Sequence, residues 1–448
     1  MGGRLIAALP SSRWEGAVLD SRQVAGGELF FALPGEETDG HRFVAQALSR
    51  GAAAAVVARP VAAEGPLIEV ADTFRALHDL TRWARRSVPR HLAAVTGSAG
   101  KTTTKELLAA MLEERYRVGR SPGNLNNTYG FPVALLGIAD DAEWMVAEMG
   151  MSVPGELAQV SRLGLPEVAV FTNVRPAHLA AFGTLRAVAR AKAELLEGLD
   201  PRGLVVANAD DPEVLWIAGL HRGPVVTYGL EADDADVRAV DLAPAHPVGT
   251  RFRLLARRYE VEEWIELGLH GRYNVENCLA AAAAALAIGI SAEEIAAAAG
   301  AARPEPGRGE VLALAGGATL VDDSYNSNPA AVAQALEAAA ALPGSRRWAV
   351  LGDMLELGAD APRFHRGAGR GAAAAGFDPV FGVGELSREL VAAAAEEGAA
   401  VAWWATAGEA AAALPEPRAG DVILVKGSRG VGLERVAAAL VAAGGGRG

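Results

Sequence analysis

The segment Gly97-Ser98-Ala99-Gly100-Lys101-Thr102-Thr103 has the residue types of a loop that cradles phosphate. Glycines let backbone N–H groups turn toward an anion, and a helix starting at the end of the loop points its positive pole there. A lysine reaches the outer phosphates, and a threonine hydroxyl can ligate magnesium. The spacing is the short GxxGKT form, since the commoner GxxxxGK[ST] would place glycine at Val95. The flanks add what the short pattern lacks. HLAAVT precedes the loop as a strand would, and TTTKELLAAMLEERY follows with apolar residues at helical spacing. The loop is therefore expected to bind the phosphates of ATP, in preference to a bare glycine turn.

Residue scarcity points to further positions. Of 42 Lys plus Arg only four are lysine: Lys101, Lys105, Lys192 and Lys426. A lysine that survives such a bias suggests a need for an ammonium or a titratable amine, which guanidinium cannot supply. Lys105, one turn beyond Lys101, reads as a solvated helix residue. The asparagines are also few, nine in all, and Asn124, Asn126 and Asn127, Asn274 and Asn277, and Asn326 and Asn328 fall in tight groups. Glu148 ends the apolar run WMVAEM, where a parallel sheet presents residues to a ligand. It completes a magnesium site with Thr102 or is a strand-end carboxylate facing water, and spacing alone does not choose. His178 follows EVAVFTN, and Lys192 lies on a helix 14 residues later.

A chain of 448 residues exceeds one core and should divide into about three domains. The expected class is α/β, with boundaries at 1–88, 89–306 and 307–448. The first is a small α/β domain with strands in ELFFAL, AAAAVV and PLIEV. The second is a central, mostly parallel sheet with ADVRAV, TRFRLLARR and VEEWIEL appended as antiparallel strands. The third is a Rossmann-like doubly wound domain. VENCLAAAAAALAIG and SAEEIAAAAG read as a helical pair, the second opened by a Ser291/Glu294 capping box. Net charge of -12 argues against a nucleic-acid partner. Mean hydropathy is +0.17, but no run approaches a membrane span. No export signal is evident at the N-terminus, so a cytoplasmic location is expected. Cys278, the single cysteine, excludes a disulfide framework and reads as a small buried hydrophobe.

The phosphate loop together with GNLNNTYGFP, AEMG, FTNVRPAHLAAFG, AKAE, GRYNVEN, DDSYNSNP, LGDMLELG and LVKGSRG resembles the Mur ligases, in the same order from Asp20 to about Leu433. GNLNN and LGDMLELG are similar to the dipeptide-adding branch. A DNPR motif is missing, and DDSYNSNP stands where the diaminopimelate- or lysine-adding branch carries a DYAHTPD-like segment. The resemblance implies three domains that bind a UDP-muramoyl peptide, ATP and the incoming amino acid or dipeptide. It implies a reaction in peptidoglycan precursor synthesis, and so in cell-wall biogenesis and cell division. UDP-N-acetylmuramoyl-tripeptide and D-alanyl-D-alanine would be the partners of a monomeric enzyme.

By the same resemblance Asn274 and Asn277 lie near adenine, Asp323 near the ribose and Arg308 near the phosphates. Helix capping and a surface charge are the plainer readings. Ser21, Arg22, Asp39 and His41, in DSR and TDGH, would hold the uridine diphosphate, or form a turn with an ion pair. Asn124, Asn126 and Asn127 resemble a loop between the ATP and peptide sites. Tyr325, Asn326, Asn328, Lys426 and Arg429 would border the dipeptide. His178 resembles the ligand of a second magnesium, and Lys192 a lysine carried as its carbamate. Catalysis would rest on Lys101, His178 and Lys192, with Thr102, Glu148, His178 and Lys192 around two ions. Tyr273 departs from the family, which often has histidine before the asparagine.

A carboxylate does not condense with an amine at neutral pH because its leaving group would be oxide. The family's solution is an acyl phosphate, which calls for positioning and charge neutralisation. Rival readings are a ligase adding a single amino acid, a folate polyglutamylating enzyme, or a nucleotide-binding regulatory module without ligation.

Overall fold

The computed structural model of the chain describes residues 2–6, 13–35, 38–245 and 248–444, which form three sheets in succession. The first holds β1 (Arg4–Leu5), β2 (Ala17–Val18), β3 (Leu29–Phe31), β4 (Ala54–Val57) and β5 (Leu67–Glu69), ordered β1-β5-β4-β3-β2. All neighbours are parallel except β1, which closes one edge antiparallel to β5.

The second sheet contains β6 (His91–Thr96), β7 (Val118–Arg120), β8 (Trp144–Glu148), β9 (Val168–Phe171), β10 (Leu204–Asn208), β11 (Val225–Gly229), β12 (Val237–Pro244), β13 (Thr250–Ala256) and β14 (Val261–Leu267). Its order is β14-β13-β12-β11-β10-β9-β6-β8-β7. The chain leaves β6 toward β8 and β7 on one side and toward β9, β10 and β11 on the other. The carboxyl end of β6 is thus the switch point at which open parallel sheets bind ligands. Strands β13 and β14 are antiparallel as expected, whereas β12 runs parallel to β11 and antiparallel to β13. Alternation along β6 sends Ala93 and Val95 to one face and Leu92 and Ala94 to the other, and helices cover both.

The third sheet is built from β15 (Glu310–Ala313), β16 (Thr319–Asp323), β17 (Arg346–Gly352), β18 (Val380–Val383), β19 (Val401–Trp404) and β20 (Asp421–Lys426), ordered β15-β16-β20-β17-β18-β19. β15 alone is antiparallel. Two separate cores, around Leu351 and Leu336 and around Trp348 and Leu440, show that helices pack on both faces, as in a doubly wound fold.

The alanine run is an ordered helix, Arg272–Ile288, in which Ala280 to Ala285 are all buried. A helix apolar around its circumference has to be interior, and alanine loses no side-chain entropy on being fixed there. Small side chains let this helix lie close against the Lys101–Glu113 helix and the strands beneath, which brings its first turn to the phosphate loop. The next helix, Ala292–Ala301, opens with the expected capping box: Ser291 N–H donates to Glu294 Oε2 at 2.7 Å, and Glu294 N–H to Ser291 Oγ. Cys278 is buried inside the alanine helix. No helix among the described residues is long and apolar enough to cross a membrane.

Candidate active site

A cavity of about 330 Å³ lies where the carboxyl ends of β6, β8 and β9 face those of β16 and β20. Its floor is the phosphate loop. Gly100 is the N-cap of the Lys101–Glu113 helix at φ +80, a left-handed conformation that glycine adopts freely, and a Cβ there would strike Asn277 Oδ1. A Cβ on Gly97 would overlap Thr172 Oγ1. The loop is tied to the segment after β9: Ser98 N–H donates to Asn173 O at 2.9 Å, Ala99 N–H to Asn173 Oδ1 at 3.0 Å, and Thr172 Oγ1 to Ala99 O at 2.6 Å. The first N–H groups of the helix, through Thr103, lack intrahelical acceptors and face the cavity with its positive pole. Lys101 Nζ donates to Gly97 O at 3.1 Å and lies 3.9 Å from Glu148 Oε1. Burial holds the Lys101 ammonium below its ordinary pKa, against the pull of Glu148.

Glu148 does not face water. It is buried at the end of β8, where Thr102 Oγ1 donates to Oε2 at 2.5 Å and Asn126 Nδ2 to Oε1 at 2.7 Å. Its own N–H donates to Ser121 Oγ at 3.0 Å. Lys105, expected to be solvated, is fully buried. The Ser121 segment covers it, and Nζ donates to Ser121 O at 2.5 Å and pairs with Glu106 at 2.7 Å. The correction has a plain cause: the helix face that carries Lys105 is covered by β7 and the residues that follow it.

No cluster of three or more His, Cys, Asp or Glu among the described residues could hold a metal ion unaided. Magnesium commonly takes one or two protein oxygens and completes its shell with water and substrate phosphate. The adjoining Thr102 hydroxyl and Glu148 carboxylate, beside the phosphate loop, fit that pattern.

His178 and Lys192 both line the cavity. His178 has φ +55, uncommon for a residue with a side chain, and its Nδ1 contacts Glu356 of the third domain, itself at φ +65. Ala180 N–H donates to Glu356 O at 3.1 Å, so the two segments meet across the domain boundary. Burial lowers the His178 pKa while Glu356 raises it. Lys192 is buried, and among the described residues its amine has no hydrogen-bond or ion-pair partner. Burial first, then the charge of Lys101, depress its pKa well below the ordinary lysine value.

On the side of the alanine helix the wall carries Tyr273, Glu276, Asn277 and Arg308. Asn274 is behind it: its Nδ2 donates to His270 O at 2.8 Å, and its Oδ1 accepts from Asn277 Nδ2 at 3.2 Å. Asp323 and Lys426, opposite each other at the ends of β16 and β20, form an ion pair at 2.6 Å. Burial raises the Asp323 pKa, and Lys426 opposes that rise. Tyr325, Asn326, Asn328 and Arg429 continue the same wall. Asn328 also caps the Pro329–Ala340 helix, accepting from Ala331 N–H at 2.9 Å. Asn124, Asn126 and Asn127 supply the opposite rim, and Asn127 Oδ1 additionally accepts from Gly130 N–H at 2.8 Å as a turn residue.

Ser21, Arg22, Asp39 and His41 lie outside this cavity, at the carboxyl edge of the first sheet. Arg22 is paired with Asp20, and Ser21 Oγ donates to Gln46 Oε1 at 2.7 Å. His41 is buried, with Nδ1 against Asp39 and Nε2 accepting from Ala58 N–H at 2.9 Å. Arg59, after β4, joins them through Asp39. This edge connects to the cavity through the Thr73–Ser87 helix, whose His78 contacts Thr128 O at 2.8 Å beside the asparagine loop. Wall residues that sequence reasoning passed over are Asn173, Glu276, Ser327 and Gln334. Asn173 carried a signal as one of the few asparagines, Glu276 and Ser327 fall within the segments GRYNVEN and DDSYNSNP, and Gln334 carried none.

Comparisons with known proteins agree with this geometry. A model of the Mur ligase middle domain matches residues 95–285, the Mur ligase glutamate ligase domain residues 307–429, and the Mur ligase family catalytic domain residues 15–122. The UDP-N-acetylmuramoyl-tripeptide–D-alanyl-D-alanine ligase of Escherichia coli K12 is 36% identical, covering 94% of this chain and 92% of its own length. That of Bacillus subtilis 168 is 33% identical, covering 95% and 93%. A crystal structure of MurF from Acinetobacter baumannii superposes with a TM-score of 0.84 at 30% identity, covering 98% of this chain and 96% of that one. MurF from Thermotoga maritima in complex with ADP gives 0.81 at 29% identity, covering 97% and 98%.

Proposed function

The chain belongs to the Mur ligase family, and on that premise we propose that it joins D-alanyl-D-alanine to UDP-N-acetylmuramoyl-tripeptide at the expense of ATP, in peptidoglycan precursor synthesis. The observation that carries this reading is the single cavity in which the phosphate loop, Glu148, Asn126 and the third-domain wall of Asn326, Lys426 and Arg429 face one another.

We assign the uridine diphosphate to the edge at Ser21, Arg22, Asp39 and His41, in the domain of residues 1–88. ATP lies on residues 97–103 of the central domain, residues 89–306. The dipeptide lies against residues 307–448. The Thr73–Ser87 helix and the asparagine loop then lead the peptide from the first site to the second. The helix pole, Lys101 and Arg308 neutralise the phosphates. Thr102 and Glu148 would hold a magnesium ion, which supplies charge neutralisation on the phosphoryl oxygens when bound. The tripeptide carboxylate oxygen attacks the γ-phosphorus as the bond to the ADP oxygen breaks, giving acyl phosphate and ADP. The dipeptide amine then adds to the acyl carbon, loses a proton and expels inorganic phosphate.

Lys192 suits carriage as a carbamate: burial lowers the pKa of its amine, which favours the neutral form that adds carbon dioxide and, on losing a proton, becomes an anion, and with His178 it would hold a second ion. Asn277 and Asp323 are assigned to the nucleoside. Every group named lies on one copy, so the reading requires only a monomer, and we place the reaction in the cytoplasm. The test is phosphate release with UDP-muramoyl tripeptide, comparing D-alanyl-D-alanine with lysine, diaminopimelate and glutamate as acceptors. Stimulation by the dipeptide is expected. Stimulation by a single amino acid instead, or by none of the four, refutes the assignment.

A further inference from the structure

Arg175, near the cavity, is engaged by a carboxylate, that of Asp211 at 3.4 Å. Arg308 and Arg429 are not: among the described residues neither guanidinium pairs with an acid. Both instead lie on one aromatic ring. The Arg308 Cζ is 3.9 Å from the Tyr325 ring centroid and that of Arg429 is 4.7 Å from it. The three residues come from different segments and share the cavity wall. Arg308 sits in the linker between the second and third sheets, Tyr325 just after β16, and Arg429 just after β20. The ring is anchored to the linker, since Tyr325 N–H donates to Gly307 O at 2.9 Å.

The kind of partner decides what these arginines can do. A carboxylate would fix a guanidinium but cancel its charge and occupy its donors. A ring face fixes the plane through cation–π and stacking contact and leaves the N–H edge free for an anion. Two such edges side by side suit two anions. On the reading above these are a phosphate oxygen of ATP at Arg308 and the carboxylate of the acceptor at Arg429. We propose that Tyr325 is a positioning residue whose ring sets Arg308 and Arg429 in register, so that the phosphate and the acceptor carboxylate are received at a fixed relation. The proposal rests on that functional reading and adds to it a residue that acts through the two arginines, with no need for its hydroxyl to touch substrate.

The experiment measures KM for ATP and for D-alanyl-D-alanine in wild type, Tyr325→Leu, Tyr325→Phe and Arg429→Lys. Wild-type turnover with the dipeptide is the control: its absence overturns the functional reading, and the proposal falls with it. Given that turnover, Tyr325→Leu is expected to raise both KM values by about 3- to 30-fold, whereas Tyr325→Phe, which keeps the ring, stays within about twofold. Arg429→Lys keeps the charge but loses the flat stacking group, and is expected to raise the KM for the dipeptide alone. In an Arg429→Ala background Tyr325→Leu should add nothing further to the dipeptide KM, a coupling that a general loss of structure would not produce. Unchanged KM values in Tyr325→Leu, movement of only one of them, equal damage from Phe and Leu, or additive effects with Arg429→Ala would each overturn the proposal. If Tyr325→Leu does not fold, Tyr325→Phe and the exposed Arg429→Lys decide: wild-type behaviour in Lys, or a rise of more than about twofold in either KM from Phe, refutes it.

Discussion

Replacing Lys105 with methionine tests whether a buried lysine holds the carboxylate of Glu148, the proposed magnesium ligand, in place. The side chain is fully buried, and its Nζ has two partners: Ser121 O at 2.5 Å and Glu106 Oε1 at 2.7 Å. Methionine fills nearly the same volume, so cavity formation contributes little. What is lost is a charge-assisted hydrogen bond to a carbonyl left without that donor, about 1–3 kcal/mol. Breaking the ion pair adds less than the roughly 3–5 kcal/mol of an isolated buried pair, because Glu106 keeps Arg120 at 2.7 Å. The expected loss is about 2–4 kcal/mol from the central domain.

The functional consequence passes through Ser121, whose hydroxyl accepts from Glu148 N–H at 3.0 Å. Loosening one such bond, worth about 0.5–1.5 kcal/mol net, should raise the magnesium concentration needed for half-maximal ligation by roughly 2- to 12-fold. Because three domains need not unfold together, stability is best read from hydrogen exchange of the β6 and β8 amides rather than from a single melting curve. The magnesium titration is run on the same protein. Wild-type exchange together with an unchanged magnesium requirement would refute the reasoning.

Three further outcomes are expected. Lys101→Ala should abolish ATP-dependent ligation while leaving circular dichroism and thermal unfolding near wild type, and retained turnover would remove the phosphate-loop assignment. Wild-type protein exposed to isotope-labelled bicarbonate should show a carbamate carbon by NMR that is missing in Lys192→Met, and identical spectra would end the carbamate proposal. Burial pushes the Glu276 carboxyl up to about 7 from an ordinary 4.5. A raised folded pKa contributes stability that is complete below pH 4.5 and lost as pH rises through 7. Glu276→Gln should therefore match wild type near pH 4.5 and exceed it by roughly 1–3 kcal/mol at pH 8, as followed by hydrogen exchange of the Arg272–Ile288 helix amides. An equal difference at both pH values would contradict that assignment of the proton.

Features fixed by local chemistry were the ones legible in the sequence. The glycine turn and helix start at 97–103, the Ser291 capping box and the antiparallel pairing of TRFRLLARR with VEEWIEL each follow from short-range rules, and each is present. What escaped depends on coverage by distant segments. Lys105 has the spacing of a surface lysine, and only Ser121, 16 residues on, makes it interior. Scarcity had marked it, but helical spacing outweighed that mark. Asn274 and Asn277 were indistinguishable in type, yet one faces the cavity while the other supports its neighbour from behind. Glu276 and Gln334 reach the wall only because the helices that carry them, in different domains, lie against each other.

The linker between the second and third sheets has glycine at φ +70 and +75 on either side of Arg308. The same three residues thus link two sheets and carry a guanidinium that lines the cavity. A swing of the last domain away from the sheet edge would withdraw that guanidinium from the phosphate loop along with the wall of Asn326, Lys426 and Arg429. On the proposed function posture and chemistry would be interlocked: an open molecule would give up its acceptor wall and part of its phosphate neutralisation together.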